Sequence, residues 1–206
     1  MDMVIRVLLT HILMNMKIEF IIPTYNRPYQ LMGVISSIFS QTSPNWKIHV
    51  VADSLYDGYQ KVKDYFNGDE RIRFTELDGP HRDWGHTPRN YGLQNATEEW
   101  VVMTGDDNYY MPIFVQDFLM EVDNNTHFVY CNMIHNWTEQ QYFVIDSIPR
   151  LGGIDIGNFM TRTELSKNIK LDTTYEQSDG LFVEEYIKKY SEGTIKKVNK
   201  PLYVHN

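Results

Sequence analysis

The sequence predicts a single α/β domain with a mostly parallel central sheet flanked by helices. Between residues 18 and 104, apolar runs of strand length alternate with stretches of helical apolar spacing. This alternation is typical of parallel strands joined by crossover helices. The chain of 206 residues can bury a sizeable core but leaves no room for a second full domain.

The first half of the chain has the clearest pattern of elements. Strands are indicated where an apolar run stops at a turn residue, and helices where apolar residues recur at helical spacing. The strands predicted in this way are residues 18–22, 47–52, 71–75 and 100–104. The helices are residues 29–39, 59–66 and 87–96, the last opened by Thr87-Pro88.

Beyond residue 110 the same signals are weaker and the elements are less regular. The helices predicted there are residues 112–122 and 180–190. The strands are residues 127–131, 142–145, 157–160, 195–198 and 202–204. No internal repeat or linker divides this part of the chain, so we expect these strands to complete the same sheet.

Residues 1–16 stand apart as an N-terminal extension of open role. Their apolar run is interrupted by Arg6 and His11, is too short to span a bilayer and lacks a signal-peptide cleavage site. An extra strand, a partner-binding segment and a translated leader all stay open for this extension.

Charge and cysteine content exclude several classes of protein. The formal charge of −8 argues against nucleic acid as a partner, because proteins that bind the phosphate backbone need a basic surface. A single cysteine, Cys131, excludes an internal disulfide and offers no zinc-finger spacing. We expect a reducing, cytoplasmic location without a transmembrane segment, and peripheral contact with a membrane is left open.

Two adjacent carboxylates, Asp106 and Asp107, follow the strand at residues 100–104. Like charges this close repel each other unless a cation or a donor-rich partner lies between them. Carboxylate oxygens suit Mg²⁺ or Mn²⁺, which complete their shells with water and substrate phosphates. The pair therefore predicts a metal-diphosphate site. The alternative is a polar turn that caps a helix starting near Pro112.

Polar side chains also follow the other predicted parallel strands, so they would meet at one edge of the sheet. They are Thr24, Tyr25, Asn26, Arg27, Asp53, Ser54 and the segment 87–90. Asp53 could accept hydrogen bonds from a nucleobase or a ribose hydroxyl, or it could cap a turn. The convergence of several such clusters is stronger evidence for a binding site than any one of them.

Arg89 lies in the first turn of a predicted helix, where the positive end of the helix dipole disfavours a cation. A nearby anion such as a diphosphate would explain this position. The alternative is a surface ion pair with Asp83 or Glu98.

The loop at residues 81–86 holds His81, Asp83 and His86 at a spacing that could ligate zinc. No further His or Cys lies nearby in the sequence, which weakens that interpretation. Trp84 in the same loop is better explained as a platform for a sugar ring or as a lid over a bound ligand.

Several of these segments occur together in an order that resembles family 2 nucleotide-sugar glycosyltransferases of the A-type fold, the nucleotide-diphospho-sugar transferase fold. The segments that carry the resemblance are residues 21–28, 36–42, 51–54, 88–93, 104–108 and 111–112. Their order and spacing match the family through about residue 120. The resemblance implies a nucleotide-sugar-binding half at residues 17–110 and an acceptor-side half at residues 111–206.

The resemblance also implies a role for each residue of the donor pocket. The residues that would bind the donor are Thr24, Tyr25, Asn26, Asp53, Arg89 and Asp106. Asp53 would read the uracil or other base, Arg89 would approach the base or diphosphate, and Asp106 would approach the ribose or donor sugar.

Asp107 and His205 are the metal ligands that the resemblance implies, for Mn²⁺ or Mg²⁺. Gly105 stands where many relatives have another acid, so which carboxylate meets the metal stays open. His205 is the last residue but one, and its alternative is a frayed chain end.

The family's catalytic base is an acid that opens a helix in the second half, and the segment 178–182 resembles that part. Asp179 is therefore the predicted base. Asp172, Glu176 and Glu184 are close enough in sequence to compete for the role.

The implied activity is metal-dependent transfer of a sugar, with inversion, from a nucleoside-diphosphate sugar that we expect to be UDP-linked. The acceptor would be a hydroxyl on a glycan, a lipid-linked or a protein-linked molecule. One alternative is a non-catalytic module that binds nucleotide sugars or glycans. Another is a sugar-phosphate nucleotidyltransferase, but its Gly-rich phosphate loop would replace the Pro23-Thr24-Tyr25-Asn26-Arg27 segment found here.

Overall fold

The computed structural model describes residues 16–136 and 141–206, so nearly all of the predicted extension at residues 1–16 lies outside the described residues. The strands form a single sheet. They are β1 (Ile18–Thr24), β2 (Trp46–Ala52), β3 (Ile72–Glu76), β4 (Trp100–Met103), β5 (Tyr109–Tyr110), β6 (Thr126–His135), β7 (Phe143–Ile145), β8 (Phe159–Arg162) and β9 (Thr194–His205).

The helices lie between these strands, and within the described ranges none is long and apolar enough to cross a bilayer. They are α1 (Pro28–Phe39), α2 (Tyr59–Tyr65), α3 (His86–Gln94), α4 (Phe114–Met120), α5 (Thr163–Ser166) and α6 (Ser178–Lys189). Each strand and helix predicted from the sequence is present, with ends that differ by a few residues. The short elements β5 and α5 were not predicted, because two and four residues are too few to show a period.

The sheet has the order β3-β2-β1-β4-β8-β6-β9-β5, and β7 pairs with β6. The predicted parallel arrangement holds for β1 to β4, whose three pairings are all parallel. In the second half only β6 and β9 pair in parallel, and the sheet is therefore mixed. The reason is topological, since β8 enters between β4 and β6 without a crossover helix and runs antiparallel to both.

The two strands predicted at residues 195–198 and 202–204 are one strand, β9. Pro201 lies inside it, opposite Asn132, where the pairing with β6 shifts register. A bulge of this kind tolerates a proline, because the ladder locally loses a hydrogen bond there anyway.

Both faces of the sheet are covered, as the βαβ pattern predicted. Phe20 and Ile22 of β1 join the core beneath α1 and α4, whereas Ile21 joins the core beneath α3 and α6. Alternate residues of a strand point to opposite faces, so a strand buried on both faces is mostly apolar, as in β1, where Glu19 is the buried charged exception.

The strand directions decide where a site can form. β6 is antiparallel to β8, which is antiparallel to β4, so β6 and its parallel neighbour β9 run in the same direction as β1 to β4. The carboxyl ends of β1, β2, β4, β6 and β9 therefore all lie at one edge of the sheet.

Candidate functional site

A cleft of about 900 Å³ opens at this edge of the sheet. Eight of the nine predicted site residues line it, namely Thr24, Tyr25, Asp53, Arg89, Asp106, Asp107, Asp179 and His205. Asn26 is not among the lining residues. It has a φ of 55° and turns the chain between β1 and α1, a conformation that Asn adopts more readily than most residues.

Arg27 forms ion pairs with both adjacent carboxylates, Asp106 and Asp107. Its Nη1 lies 2.6 Å from Asp107 Oδ2 and 3.4 Å from Asp106 Oδ1. The hydroxyl of Thr24, at the end of β1, donates to Asp106 Oδ2 at 2.8 Å. The pair does not cap the following helix, since α4 begins at Phe114 and has no side-chain cap. The alternative of a capping turn is therefore wrong.

Asp106 is buried and carries a perturbed pKa. Burial raises the pKa of Asp106 to about 6, partly offset by the Thr24 hydrogen bond and increased again by the charge of Asp107. A cation that enters the cleft would lower the pKa of this carboxyl and favour its ionised form.

Asp53, after β2, is held by the neighbouring loop. The backbone N–H of His81 donates to Asp53 Oδ2 at 3.0 Å, and His81 Nδ1 lies 2.5 Å from Oδ1. Gly79 makes this approach possible, because a Cβ there would lie 1.8 Å from the Asp53 carbonyl oxygen. Asp53 thus joins β2 to the loop at the cleft wall instead of capping a helix.

The histidines of this loop do not converge on a metal. Asp83 Oδ2 accepts from the backbone N–H of Thr87 at 2.8 Å, and His86 Nε2 lies 3.1 Å from the Tyr175 carbonyl oxygen. Among the described residues no group of three His, Cys, Asp or Glu side chains is arranged to hold a metal ion. The zinc interpretation of residues 81–86 is therefore wrong.

Arg89 points inward from the first turn of α3 and is buried. Its Nε donates to the Thr104 carbonyl at 3.0 Å and its Nη1 to the Trp84 carbonyl at 2.8 Å. Arg89 therefore forms no surface ion pair with Asp83 or Glu98; Asp83 accepts from Thr87, and Glu98 pairs with Lys47. Burial lowers the pKa of Arg89, but an arginine still stays charged at neutral pH.

Asp179 lies in the first turn of α6, as its family segment implied. Burial, followed by the charge of Asp155, raises the pKa of Asp179 to about 6. The N–H of Gly180 donates to its Oδ1 at 2.8 Å and favours the ionised form. Its carboxylate is therefore available to accept a proton near neutral pH.

Two of the three competing acids lie off the cleft. Asp172 Oδ1 accepts from the N–H of Thr174 at 2.8 Å, and Glu184 Oε1 accepts from the N–H of Leu151 at 3.0 Å. Glu176 does line the cleft. The structure thus leaves Glu176 as the competitor of Asp179.

His205 is not a frayed end. Within β9 it pairs with His135 of β6, and the two rings stack with their centroids 4.3 Å apart. Tyr109 pairs with Val204 in the antiparallel β5–β9 ladder, so Asn108 comes opposite His205. The N–H of Asn206 also donates to Asn108 Oδ1 at 3.4 Å. His205 is therefore held beside the turn that carries Asp107.

Asp155 was missed by sequence reasoning. Its Oδ2 lies 2.7 Å from His205 Nδ1, as an ion pair rather than a well-aligned hydrogen bond, and its Oδ1 accepts from Tyr203 and Gly157. Burial raises the pKa of Asp155, but these partners, led by His205, outweigh it and hold the pKa at about 2. Asp155 follows no strand, so no sequence signal placed it at the site.

The residues present fit a divalent cation. Asp107 offers a partly exposed carboxylate, and His205 offers a ring whose Nδ1 faces a carboxylate, as is usual for a metal-bound histidine. Two protein ligands suffice for Mg²⁺ or Mn²⁺ when water and a substrate diphosphate complete the shell. Arg27 now contacts Asp107 Oδ2, so it would share or yield that oxygen.

The sequence of this chain is similar to the sequences of known glycosyltransferases. An uncharacterised glycosyltransferase of Rickettsia felis is 30% identical over 117 residues, which is 55% of this chain and 19% of the relative. The Escherichia coli UDP-Glc:alpha-D-GlcNAc-diphosphoundecaprenol beta-1,3-glucosyltransferase is 26% identical over 153 residues, which is 73% of this chain and 55% of the relative. This chain thus spans only part of each relative's length.

Solved structures support the fold. S. aureus TarS residues 1–349 superpose with a TM-score of 0.76 at 20% identity, covering 93% of this chain and 60% of that one. The Pyrobaculum calidifontis mannosyltransferase PcManGT, in complex with GDP-Man and Mn²⁺, superposes with a TM-score of 0.72 at 15% identity, covering 93% and 57%. These similarities confirm the predicted α/β glycosyltransferase fold.

The family follows from the sequence profile, which spans both halves of the sheet. Residues 19–183 match Glycosyl transferase family 2 and include every predicted site residue except His205. This chain therefore belongs to glycosyl transferase family 2.

Proposed function

We propose that this chain transfers a sugar from a nucleoside-diphosphate sugar to a hydroxyl acceptor, with inversion and with Mn²⁺ or Mg²⁺. The observation that carries the proposal is the single cleft that joins the Asp106-Asp107 pair and Arg89 to Asp179. The first three would handle the donor and its leaving diphosphate, and Asp179 would handle the acceptor. The chain spans part of its relatives, so its whole activity is part of this proposal.

A UDP-linked donor is the first choice to test. TarS has been solved with UDP and with UDP-GlcNAc, and the E. coli relative is named for UDP-Glc. Thr24, Tyr25 and Asp53 would contact the nucleotide from the ends of β1 and β2. Asn26 would act by shaping the turn between β1 and α1.

A lipid-linked glycan is one acceptor class, since the E. coli relative acts on a diphosphoundecaprenol-linked GlcNAc by its name. A free glycan and a protein-linked hydroxyl are the others. All three present a sugar or side-chain hydroxyl whose oxygen must reach the anomeric carbon beside Asp179.

Asp107 and His205 would hold the divalent cation. When bound, Mn²⁺ or Mg²⁺ supplies Lewis-acid stabilisation of the negative charge on the departing diphosphate. Arg89 adds a fixed positive charge in the same cleft, within a network of buried carbonyl contacts that keeps it in place.

Asp179 would act as the general base. Its carboxylate accepts the acceptor's hydroxyl proton while that oxygen bonds to the anomeric carbon and the bond from that carbon to the diphosphate breaks. A single displacement of this kind inverts the anomeric centre. With a pKa of about 6, Asp179 is mostly ionised at neutral pH and still basic enough to take up the proton.

The test is incubation of the purified chain with labelled UDP-Glc, UDP-GlcNAc or GDP-Man and Mn²⁺, with release of the nucleoside diphosphate as the readout. Hydrolysis without an acceptor counts as turnover. We expect release from one of the UDP-sugars and its loss on chelation of the metal. Binding of all three donors by thermal shift without any release would instead indicate a non-catalytic module.

A further inference from the structure

Asp155 is surrounded by donors that hold its carboxylate in one orientation. It is 9% exposed. Tyr203 donates its hydroxyl to Oδ1 at 2.5 Å and Gly157 donates its backbone N–H to the same oxygen at 3.0 Å. The second oxygen, Oδ2, faces only His205 Nδ1 among these partners, at 2.7 Å.

The ring of His205 is restrained in three further ways. Its backbone is paired with His135 in the β6–β9 ladder, and its ring is stacked on that of His135. The backbone N–H of the next residue, Asn206, donates a hydrogen bond to Asn108 Oδ1 at 3.4 Å. Its remaining freedom is a turn of the ring and the choice of which nitrogen carries the proton. Asp155 Oδ2, 2.7 Å from Nδ1, is the charged group that bears on both.

An ionised carboxylate at Nδ1 selects the tautomer that carries its proton there. The lone pair of the neutral ring is then on Nε2, at the opposite edge of the imidazole. His205 and Asp107 both line the cleft. A carboxylate behind one nitrogen and a cation in front of the other is the usual arrangement around a metal-bound histidine.

We propose that Asp155 is a positioning residue, which orients the His205 ring and holds the proton of the neutral ring on Nδ1, so that Nε2 can bind a divalent cation held with Asp107. This inference deepens the proposed function and rests on its metal dependence. It assigns Asp155 no contact with the substrate.

The variant Asp155→Asn tests the tautomer directly, because the amide can face His205 in only one way. Both donors on Oδ1 keep the carbonyl oxygen of the new side chain at that position. Its NH₂ group then faces His205 Nδ1 and donates to it, which moves the ring proton to Nε2. We expect long-range ¹H–¹⁵N spectra, at a pH where the ring is neutral, to show this exchange of the protonated nitrogen.

Tyr203→Phe is the matched control. It removes one hydrogen bond from Asp155 Oδ1 but leaves the contact between Oδ2 and His205 in place. A merely structural role of Asp155 predicts the same spectrum for both variants. The positioning role predicts the wild-type tautomer in Tyr203→Phe and the exchanged tautomer in Asp155→Asn.

Binding of Mn²⁺ alone, followed by electron paramagnetic resonance of the free ion, gives the second readout. Loss of a partner behind a metal-bound histidine typically weakens metal affinity about 10- to 100-fold, and we expect this for Asp155→Asn. If Asp155 acts through His205, the variant Asp155→Asn/His205→Ala will bind Mn²⁺ no more weakly than His205→Ala alone.

Either of two results overturns the inference: a neutral wild-type His205 ring that carries its proton on Nε2, or additive losses of Mn²⁺ affinity in the double variant. A different result separates the inference from the proposed function. If the tautomer exchanges as expected but wild type binds no Mn²⁺, the metal dependence proposed above and the metal role of His205 are wrong, whereas the orientation of the His205 ring by Asp155 stands.

Discussion

The two halves of the sheet contribute residues to the cleft in different ways. In the first half, Thr24 ends β1, Asp53 directly follows β2 and Asp106 lies three residues beyond β4, so a strand end in the sequence marks a site residue. In the second half, Asp155 and His205 are 50 positions apart and meet because β9 ends where the loop before β8 passes. In the second half, the register of the strands decides which residues lie close together, and local sequence patterns do not reveal that register.

The same contrast holds for two buried carboxylates, one from each half. Burial raises the pKa of Asp106 to about 6, and Thr24 with Arg27 only partly offsets this effect. Burial acts in the same direction on Asp155, yet His205, Tyr203 and Gly157 hold its pKa at about 2. The number and aim of the donors therefore decide whether the effect of burial on the pKa of a carboxylate is outweighed.

The largest expected effect comes from the second half. Asp179→Asn removes the proposed base, and general-base assistance is typically worth about 10²- to 10⁴-fold in rate. We expect kcat to fall by that factor while UDP binding, measured by thermal shift, is retained.

Glu176→Gln is the matched control, since Glu176 is the competing acid that also lines the cleft. Its kcat is expected to stay near the wild-type value. If Glu176→Gln loses turnover and Asp179→Asn does not, the roles of the two acids are exchanged.

Stability should respond in opposite directions to changes at the two buried carboxylates. The folded pKa of Asp106, about 6, is above its ordinary value of 3.8, so the folded state holds the proton more tightly and stability falls as pH rises between these values. Asp106→Asn removes this cost, and we expect a gain of about 1–3 kcal/mol in the free energy of unfolding well above pH 6. Urea unfolding measures it.

The gain should vanish well below pH 3.8, where Asp106 is protonated in both the folded and the unfolded state. Asp155 has the reverse linkage, because its pKa of about 2 lies below 3.8 and its stabilisation is lost only as pH falls through that window. Asp155→Asn is therefore expected to lower stability at neutral pH. If Asp106→Asn and Asp155→Asn both raised or both lowered the free energy of unfolding at neutral pH, the contrast between the two carboxylates would be wrong.

The pH dependence of turnover should report Asp179. We expect kcat/KM to fall about tenfold per pH unit below a midpoint near 6, because a protonated base cannot accept the acceptor's proton. The charge of Asp155 contributes to the raised pKa of Asp179, so Asp155→Asn should move the midpoint of its residual activity to lower pH. A profile that stays flat down to pH 4 would count against Asp179 as the base.

The smallest expected effect concerns Arg27 in the first half. Its guanidinium contacts both Asp107 and Asp106 and competes with any cation at the pair. Unit charges about 4 Å apart interact by roughly 1 kcal/mol in a high-dielectric environment, so Arg27→Gln should tighten Mn²⁺ binding about fivefold.

Arg82→Gln is the comparison for this effect, since Arg82 also lines the cleft but forms no ion pair with Asp106 or Asp107 within the described part of the chain. Electron paramagnetic resonance of free Mn²⁺ measures both variants. Weaker Mn²⁺ binding in Arg27→Gln would mean that Arg27 orients the pair instead of competing with the metal.

Local patterns in the sequence were sufficient to predict most of the first half. Apolar runs of strand length indicated β1, β2 and β4, because a strand buried on both faces is mostly apolar, whereas β3 is a shorter, partly exposed strand. The residues just beyond those runs were expected to meet, because parallel strands share one carboxyl edge. Asn26 is the exception, since it adopts a positive φ in the turn after β1 and does not line the cleft, although Tyr25 and Arg27 do.

The second half of the site depends on tertiary structure. The sequence left His205 open between a metal ligand and a frayed end, and it offered no sign of Asp155. Pairing of β9 with both β5 and β6 holds His205 at the cleft, and three donors hold Asp155 behind it. The physical reason is that register, bulges and buried hydrogen bonds depend on partners far apart in the chain, whereas apolar periodicity is a local property of the sequence.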